Sequence, residues 1–387
     1  MNKKISKINS LIKKKYKYEL LENGFSSKDI AAGRKVLNSK RITMAENTRK
    51  FEDAFAKKIG SRYALMVNSG SSANLLAAFA AGNILRKKRY KIGDEVLIPV
   101  LCWSTSVCPF VQFGLKPIFI DVNKNTLNIS INDLKKKITK KTKAIVLINV
   151  LGNCSDLFEI RKIAKRKNII LIEDNCESLG SKLKNKYLGT FGDFSSFSFY
   201  YSHQITSGEG GMITCNSDED YEILFSLRSH GWFGGTRFYS RKFASYNKYA
   251  KKFSNLDPRY IFSNSGFNLR PTDIQAAIAH NQFKRLDELK KMRNINRNLI
   301  IKKIKNSKSW NNQFYFFEPV KNLEPSWMGL PILLNEKYKK RKKKFIDFLD
   351  NAGIETRPII SGSFVNQPAS KLYNLNKNNY IYPNAQK

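Results

Sequence analysis

The feature that most constrains this chain is an alternation of short apolar runs with helical stretches between about residues 25 and 250. Arg62–Val67, Glu95–Val100, Lys116–Asp121, Ala144–Val150 and Ile169–Glu173 are largely apolar and of strand length. Leu75–Leu85, Ile131–Ile138 and Leu157–Arg166 carry their apolar residues at helical spacing instead. Strands buried on both faces lose the polar–apolar alternation, and parallel neighbours need a crossover, most often a helix. The pattern predicts an α/β fold whose mainly parallel sheet is covered by helices on both faces. In such sheets ligands lie beyond the carboxyl ends of strands, so the loops that follow strands are where chemistry is expected.

After about Asn268 the pattern changes. A long helix is expected over Pro271–Leu299, short strands at Phe316–Pro319 and Met328–Leu334, and a helix over Tyr338–Asn351. This reads as a smaller α+β domain, giving a basic arm over 1–25, a large domain over 26–255 and a small one over 256–387. A length of 387 residues accommodates that division, and 42% apolar residues suffice for its core, which excludes a largely disordered chain. No apolar run approaches the roughly 18 residues of a membrane span. Met1–Lys17 is basic without an apolar segment behind it, so a cytoplasmic protein is expected.

Net charge is +38, from 69 basic and 31 acidic residues. Nucleic-acid readers favour the planar fork of arginine, yet only 18 of the basic residues are Arg. The Lys runs at Lys13–Lys15, Lys135–Lys143 and Lys337–Lys344 are dispersed. A solvated, Lys-rich surface that attracts anionic small molecules is the better reading, with no nucleic-acid partner. The five cysteines (Cys102, Cys108, Cys154, Cys176 and Cys215) form no C-x-x-C pair, so neither a zinc site nor a disulfide framework is expected.

Four segments carry chemistry. Asn68–Asn74 (Asn-Ser-Gly-Ser-Ser-Ala-Asn) follows a strand and opens a helix, where free N–H groups and the helix dipole suit a phosphate, although a plain turn is as good a reading. Asp174, in Glu173–Glu177, ends a strand and is either a partner for a pyridinium N–H or a helix N-cap. Trp103 follows another strand and could stack on a flat ring or fill the core. Phe197–Ile205, containing Ser198 and His203, precedes the glycine turn Gly208–Gly211.

In order and spacing these segments resemble the fold-type-I pyridoxal-phosphate enzymes, and among them the nucleotide-sugar aminotransferases of the DegT/DnrJ/EryC/StrS group. Ile42–Met44 and Gly266–Asp273 extend the resemblance, which runs from about Ser26 to the C-terminus. It implies the aspartate aminotransferase-like PLP-dependent transferase fold, an α/β domain with a mainly parallel seven-stranded sheet plus a smaller α+β C-terminal domain. It also implies that Ser71, Ser72 and Ser198 hold the cofactor phosphate and that Trp103 stacks on its ring. By the same route Asp174 meets the pyridine nitrogen and Glu177 the ring hydroxyl. Asn268 would reach the phosphate from the other subunit, making an obligate homodimer with shared active sites. Arg357 is implied as the glutamate carboxylate ligand, with Glu355 beside it also assigned to substrate. The family pattern continues beyond Tyr380–Ala385, so a truncated small domain is expected.

One position departs from the aminotransferase pattern. His203 stands where the family has its catalytic Lys, and no Lys occurs from Tyr187 to Arg241, a stretch of 55 residues. Imidazole has no primary amine to tether the cofactor covalently, but it can move a proton. A His at this place resembles the 3-dehydratase branch of the family, as do Ser202–Ile205 and Leu227–Trp232. Part of that branch carries an iron–sulfur cluster whose cysteines begin near Gly231–Gly235. Cys215 is the last cysteine here, so no cluster and no metal are expected.

The resemblance thus implies a two-stage cycle with His203 as the proton-moving residue. L-Glutamate would convert pyridoxal 5'-phosphate to pyridoxamine 5'-phosphate, leaving 2-oxoglutarate. A nucleotide-linked 4-keto-6-deoxyhexose, expected to be GDP-4-keto-6-deoxy-mannose, would then lose its C3 hydroxyl, with release of ammonia. The rival readings are a nucleotide-sugar aminotransferase, opposed by the missing Lys, and a non-catalytic cofactor-binding relative, opposed by the otherwise complete set of cofactor residues.

Overall fold

A computed structural model of the chain describes residues 16–22, 24–232, 251–257, 260–376 and 380–386. Lys13–Lys15, most of the basic arm expected over 1–25, and Phe233–Gly235 lie outside the described residues.

Seven strands form the main sheet: β1 (Tyr63–Val67), β2 (Glu95–Pro99), β3 (Lys116–Ile120), β4 (Thr142–Ile148), β5 (Ile170–Asp174), β8 (Phe194–Ser198) and β9 (Gly211–Cys215). Their order is β1-β9-β8-β5-β4-β2-β3. All run parallel except β9, which is antiparallel to both of its neighbours. Because β8 and β9 are antiparallel they need no helical crossover, and the loop between them, which carries His203, stays at the carboxyl end of β8. The remaining short strands are β6 (Lys182–Leu183), β7 (Lys186–Tyr187) and β11 (Leu323–Glu324) in one sheet, and β10 (Phe314–Phe316) paired with β12 (Ile332–Leu334).

The helices that matter for the site are α1 (Ser27–Asn38), α2 (Glu46–Ile59), α3 (Gly70–Ala81), α4 (Cys108–Phe113), α5 (Ile131–Lys137), α6 (Leu157–Arg166), α7 (Asp218–Arg228), α8 (Asp273–Phe283), α9 (Leu286–Lys305) and α10 (Lys342–Asn351). The single helix expected over Pro271–Leu299 is two. Thr272 caps α8 in a reciprocal arrangement with Gln275. The chain then turns at Lys284 and Arg285, where Arg285 pairs with the buried Asp29 at 2.8 Å and Leu286 is fully buried. The strand expected over Met328–Leu334 is confined to Ile332–Leu334, because Trp327 and Met328 lie in a turn held by side chains described below.

Helices α3 and α7 pack on one side of the sheet, sharing a core with Leu65, Val96, Val146 and Ile213. On the other side, Leu134 of α5 and Leu157 and Ile160 of α6 pack against Leu97, Ile145 and Leu171. Residues beyond 256 enter these cores directly. Ala276, Ala279 and Phe283 of α8 pack with Phe51 and Phe55 of α2, while Phe364, Val365 and Tyr382 join the α3 core. Among the described residues, no helix is long and apolar enough to cross a membrane.

Candidate active site

The carboxyl ends of β1, β5 and β8 converge on one place. Ser69 N-caps α3, its side chain accepting the Ser72 N–H at 3.1 Å, while Ser72 Oγ donates to Asn68 Oδ1 at 2.6 Å. Helix geometry leaves the Gly70 and Ser71 N–H groups aimed out of the first turn, with the positive end of the dipole behind them. A Cβ at Gly70 would lie 2.6 Å from Ser198 Cβ and 2.9 Å from Cys176 Sγ. Glycine therefore lets the loop touch the ends of β8 and β5, which brings Ser198 against the first turn of α3 that carries Ser71 and Ser72. Ser71 is exposed, and its hydroxyl donates to Thr105 Oγ1 at 3.2 Å.

Asp174 is buried at the end of β5. Its Oδ2 accepts from Asn74 Nδ2 at 2.8 Å and from Ser106 Oγ at 2.7 Å, and its Oδ1 accepts from the Cys176 N–H at 3.1 Å. Asn74 is held in turn by Ser196, whose hydroxyl donates to Asn74 Oδ1 at 2.5 Å. This clamp was not visible from sequence spacing. Asn74 lies on the buried face of α3, in its second turn. The preceding acid, Glu173, is a structural residue: its carboxylate accepts the N–H groups of Gly189, Phe191 and Gly192 at 2.6–2.9 Å.

Trp103 is 51% exposed. It caps the short turn Ser104–Ser106, which delivers Ser106 to Asp174 and Thr105 to Ser71. Glu177 Oε2 accepts the Leu151 N–H at 2.9 Å. Burial pushes the Glu177 carboxyl up to about 7, with the charge of Asp174 acting in the same direction and Arg357 against it.

His203 sits in the β8–β9 loop with Nδ1 2.5 Å from the Cys176 carbonyl oxygen. A carbonyl only accepts, so Nδ1 carries the hydrogen and Nε2 keeps its lone pair. Burial lowers the imidazole pKa to about 4; the Cys176 hydrogen bond and Asp174 oppose the shift, while Arg357 and Arg293 add to it. His203 is consequently neutral at neutral pH.

Arg357 comes to the same loop from the far part of the chain, donating to Ser202 Oγ at 3.1 Å. Glu355 does not join it. Its Oε2 accepts the Leu20 N–H at 2.9 Å, and its own N–H donates to Tyr18 O, so one oxygen of this carboxylate is tied to the N-terminal segment. Asn268 is exposed; its Oδ1 accepts from Arg270 Nε at 3.2 Å, and among the described residues it makes no hydrogen bond to Ser71, Ser72 or Ser198. Its neighbour Leu269 accepts the Asn68 N–H at 3.0 Å, which lays this segment along the start of the loop. Among the described residues no three His, Cys, Asp or Glu side chains are grouped to hold a metal ion.

The arrangement offers a serine-rich helix N-terminus, a buried carboxylate fixed by three donors, an exposed aromatic face and a neutral imidazole whose Nε2 has no hydrogen-bond partner among the described residues. The DegT/DnrJ/EryC1/StrS aminotransferase family matches residues 25–387. The GDP-4-keto-6-deoxy-D-mannose 3-dehydratase of Escherichia coli O55:H7 (strain CB9615 / EPEC) is 38% identical over 90% of this chain and 87% of that protein. The structure of E coli GDP-4-keto-6-deoxy-D-mannose-3-dehydratase with bound hydrated PLP superposes with a TM-score of 0.84 at 35% identity, covering 96% of this chain and 92% of that one. A GDP-4-keto-6-deoxymannose-3-dehydratase structure with a trapped PLP-glutamate geminal diamine gives a TM-score of 0.79 at 34% identity, covering 92% of this chain and 89% of that one.

Proposed function

Since the chain belongs to the DegT/DnrJ/EryC1/StrS aminotransferase family, we propose that it removes the C3 hydroxyl of GDP-4-keto-6-deoxy-mannose, using pyridoxal/pyridoxamine 5'-phosphate and L-glutamate and releasing ammonia and 2-oxoglutarate. The observation that carries this reading is His203, whose Nε2 has no hydrogen-bond partner among the described residues, within a stretch of 55 consecutive residues that contains no Lys.

The donor set fits the cofactor: a Cβ at Gly70 would collide with Ser198, so the first turn of α3 and the end of β8 meet where the phosphate would lie, and Asp174 is a buried acid fixed by three donors. When bound, the pyridine ring supplies an electron sink. In this reading Ser71, Ser72 and Ser198 hold the phosphate, and Asp174 keeps the ring nitrogen protonated. Trp103 covers the ring face, and Glu177 meets the ring hydroxyl. His203 takes and returns a proton at Nε2, its Nδ1–H anchored on Cys176. The lone pair on Nε2 lets the neutral imidazole accept a proton, and the Nδ1–H bond to Cys176 holds the ring in place for its return. Without a primary amine, His203 cannot trap the cofactor, so the amino group is free to leave as ammonia. Arg357, within reach of the His203 loop, binds the glutamate carboxylate through its fork.

The same reading includes a homodimer, with Asn268 contributing to the partner's phosphate site, and a cytoplasmic setting, supported by five cysteines that are all free thiols. The test incubates the protein with pyridoxal phosphate, L-glutamate and GDP-4-keto-6-deoxy-mannose. A 3-deoxy ketone with stoichiometric ammonia is the expected outcome; a stable 4-amino sugar would establish transamination instead.

A further inference from the structure

Arg293, on α9, reaches out of its helix to three backbone carbonyls. Its Nη1 donates to Met328 O at 2.9 Å and Trp327 O at 3.4 Å, and its Nη2 donates to His203 O at 3.2 Å. No carboxylate forms an ion pair with it among the described residues. A cation withdrawn from water onto carbonyl dipoles is costly unless the groups it gathers need holding.

The two segments it gathers pack with a third turn, at Gly152. Gly152 lies so close to the Ser326 turn that a Cβ there would sit 2.4 Å from Ser326 O. Ser181 pins the two together, donating to Gly152 O at 2.9 Å and accepting the Ser326 N–H at 2.8 Å. Gln204 ties the His203 loop to the same layer, donating to Glu177 O at 2.5 Å and Ser326 O at 3.1 Å. Leu151, beside Gly152, supplies the N–H that holds Glu177. The stack has fixed floors, and the Arg293 fork spans from the Trp327–Met328 turn to the backbone of His203 itself.

We infer that Arg293 is a positioning residue for His203: its guanidinium clamps the His203 carbonyl to the Trp327–Met328 turn and thereby sets where Nε2 stands. This deepens the dehydratase reading and rests on it. Planar geometry matters here, because two nitrogens of one rigid fork must serve two separate segments, which a lysine ammonium on a flexible stem cannot reproduce. Besides position, the fork acts on charge. The groups that face the imidazole are Asp174 and the Cys176 carbonyl, which favour its cation, and Arg357 and Arg293, which disfavour it, with Glu177 on the adjoining turn. Losing Arg293 removes a cation and loosens the loop towards water, and both effects raise the affinity of His203 for a proton.

The experiment compares Arg293→Gln and Arg293→Lys with the parent protein. First, the imidazole of His203 is titrated by NMR in the cofactor-free protein, where only three histidines need assignment. Arg293→Gln is expected to move the His203 midpoint upward by about half a unit or more, and Arg293→Lys, which keeps the charge, to move it less. Second, kcat for the glutamate half-reaction is expected to fall roughly ten- to hundredfold in both variants, with the glutamate KM unchanged because Arg357 is untouched. A folded Arg293→Gln protein with both the midpoint and kcat unaltered overturns the inference. If Arg293→Gln does not fold, an unaltered kcat in Arg293→Lys overturns it alone. The titration needs neither cofactor nor substrate, so failure of the dehydratase reading and failure of the Arg293 inference are seen separately.

Discussion

The imidazole of His203 and the backbone carbonyl of Cys176 are joined at 2.5 Å, which links the β8–β9 loop to the turn that follows Asp174. One hydrogen bond thus fixes the tautomer of the proposed proton shuttle and its distance from the cofactor acid. Replacing His203 by Asn keeps a group of similar size but removes the titratable nitrogen. Turnover, followed as ammonia release, is expected to drop by about a hundredfold or more, the usual worth of a positioned base. Pyridoxal phosphate binding, measured by absorbance titration, should hardly change. Turnover close to that of the parent protein would remove His203 from the reaction.

The pH dependence of stability has a shape set by two groups. His203 binds its proton less tightly in the fold (about 4) than in the unfolded chain (about 6.5), so stability rises with pH across that window. Glu177 behaves oppositely. Its carboxyl holds a proton up to about 7 in the fold and to about 4.5 when unfolded, so stability falls as pH climbs between them. Over the shared range the two slopes offset each other. Relative to the parent protein, Glu177→Gln should therefore gain stability on going from pH 5 to pH 7, and His203→Asn should lose it. Urea unfolding of the cofactor-free proteins at several pH values checks both signs.

Asn74 occupies both ends of its amide, one on Asp174 and the other on Ser196. Asn74→Ala leaves the buried Ser196 hydroxyl only a long 3.5 Å bond to Glu173 O and strips one donor from the acid, at a cost of about 1–3 kcal/mol in stability. The bound cofactor should also show a lowered ring-nitrogen pKa by absorbance, because its partner carboxylate is less firmly held. Thermal unfolding together with a spectral pH titration separates the two effects.

Gly70 is a steric requirement of the cradle. In Gly70→Ala the new methyl must displace Ser198 or Cys176, an overpacking worth about 1–3 kcal/mol. The variant is expected to lose affinity for pyridoxal phosphate while its affinity for pyridoxal, which has no phosphate, changes little. Equal losses for both ligands would show that the loop serves the ring rather than the phosphate.

The parallel strands β1 to β5 were readable in the sequence because burial on both faces writes them as continuous apolar runs. Gly211–Cys215 was not identified as a strand, since its place between β1 and β8 depends on partners far along the chain. The site divides in the same way. Asp174, Ser198 and His203 stand at strand ends or just after them, where the α/β pattern directs attention. Ser106, Ser196 and Arg293 act only through neighbours that folding brings to them, from as far away as the turn at Trp327. The bond from the Leu20 N–H to Glu355 Oε2 is a contact that no spacing rule encodes. Arg357 itself was legible only through the family resemblance, because nothing in Gly353–Pro358 announces an approach to Ser202.

The insertion of β9 between β1 and β8 also orders events in time. Tyr63 pairs with Cys215 and Val67 with Gly211, so β1 has no sheet partner until the chain has been made past its midpoint. Contacts of such long sequence separation close late and slowly. During synthesis the nascent chain should therefore assemble β2 to β5 first and leave the serine-rich turn after Val67 unformed. Competence to capture a cofactor would then arrive in a single step, when Gly211 docks against the backbone of Ser69.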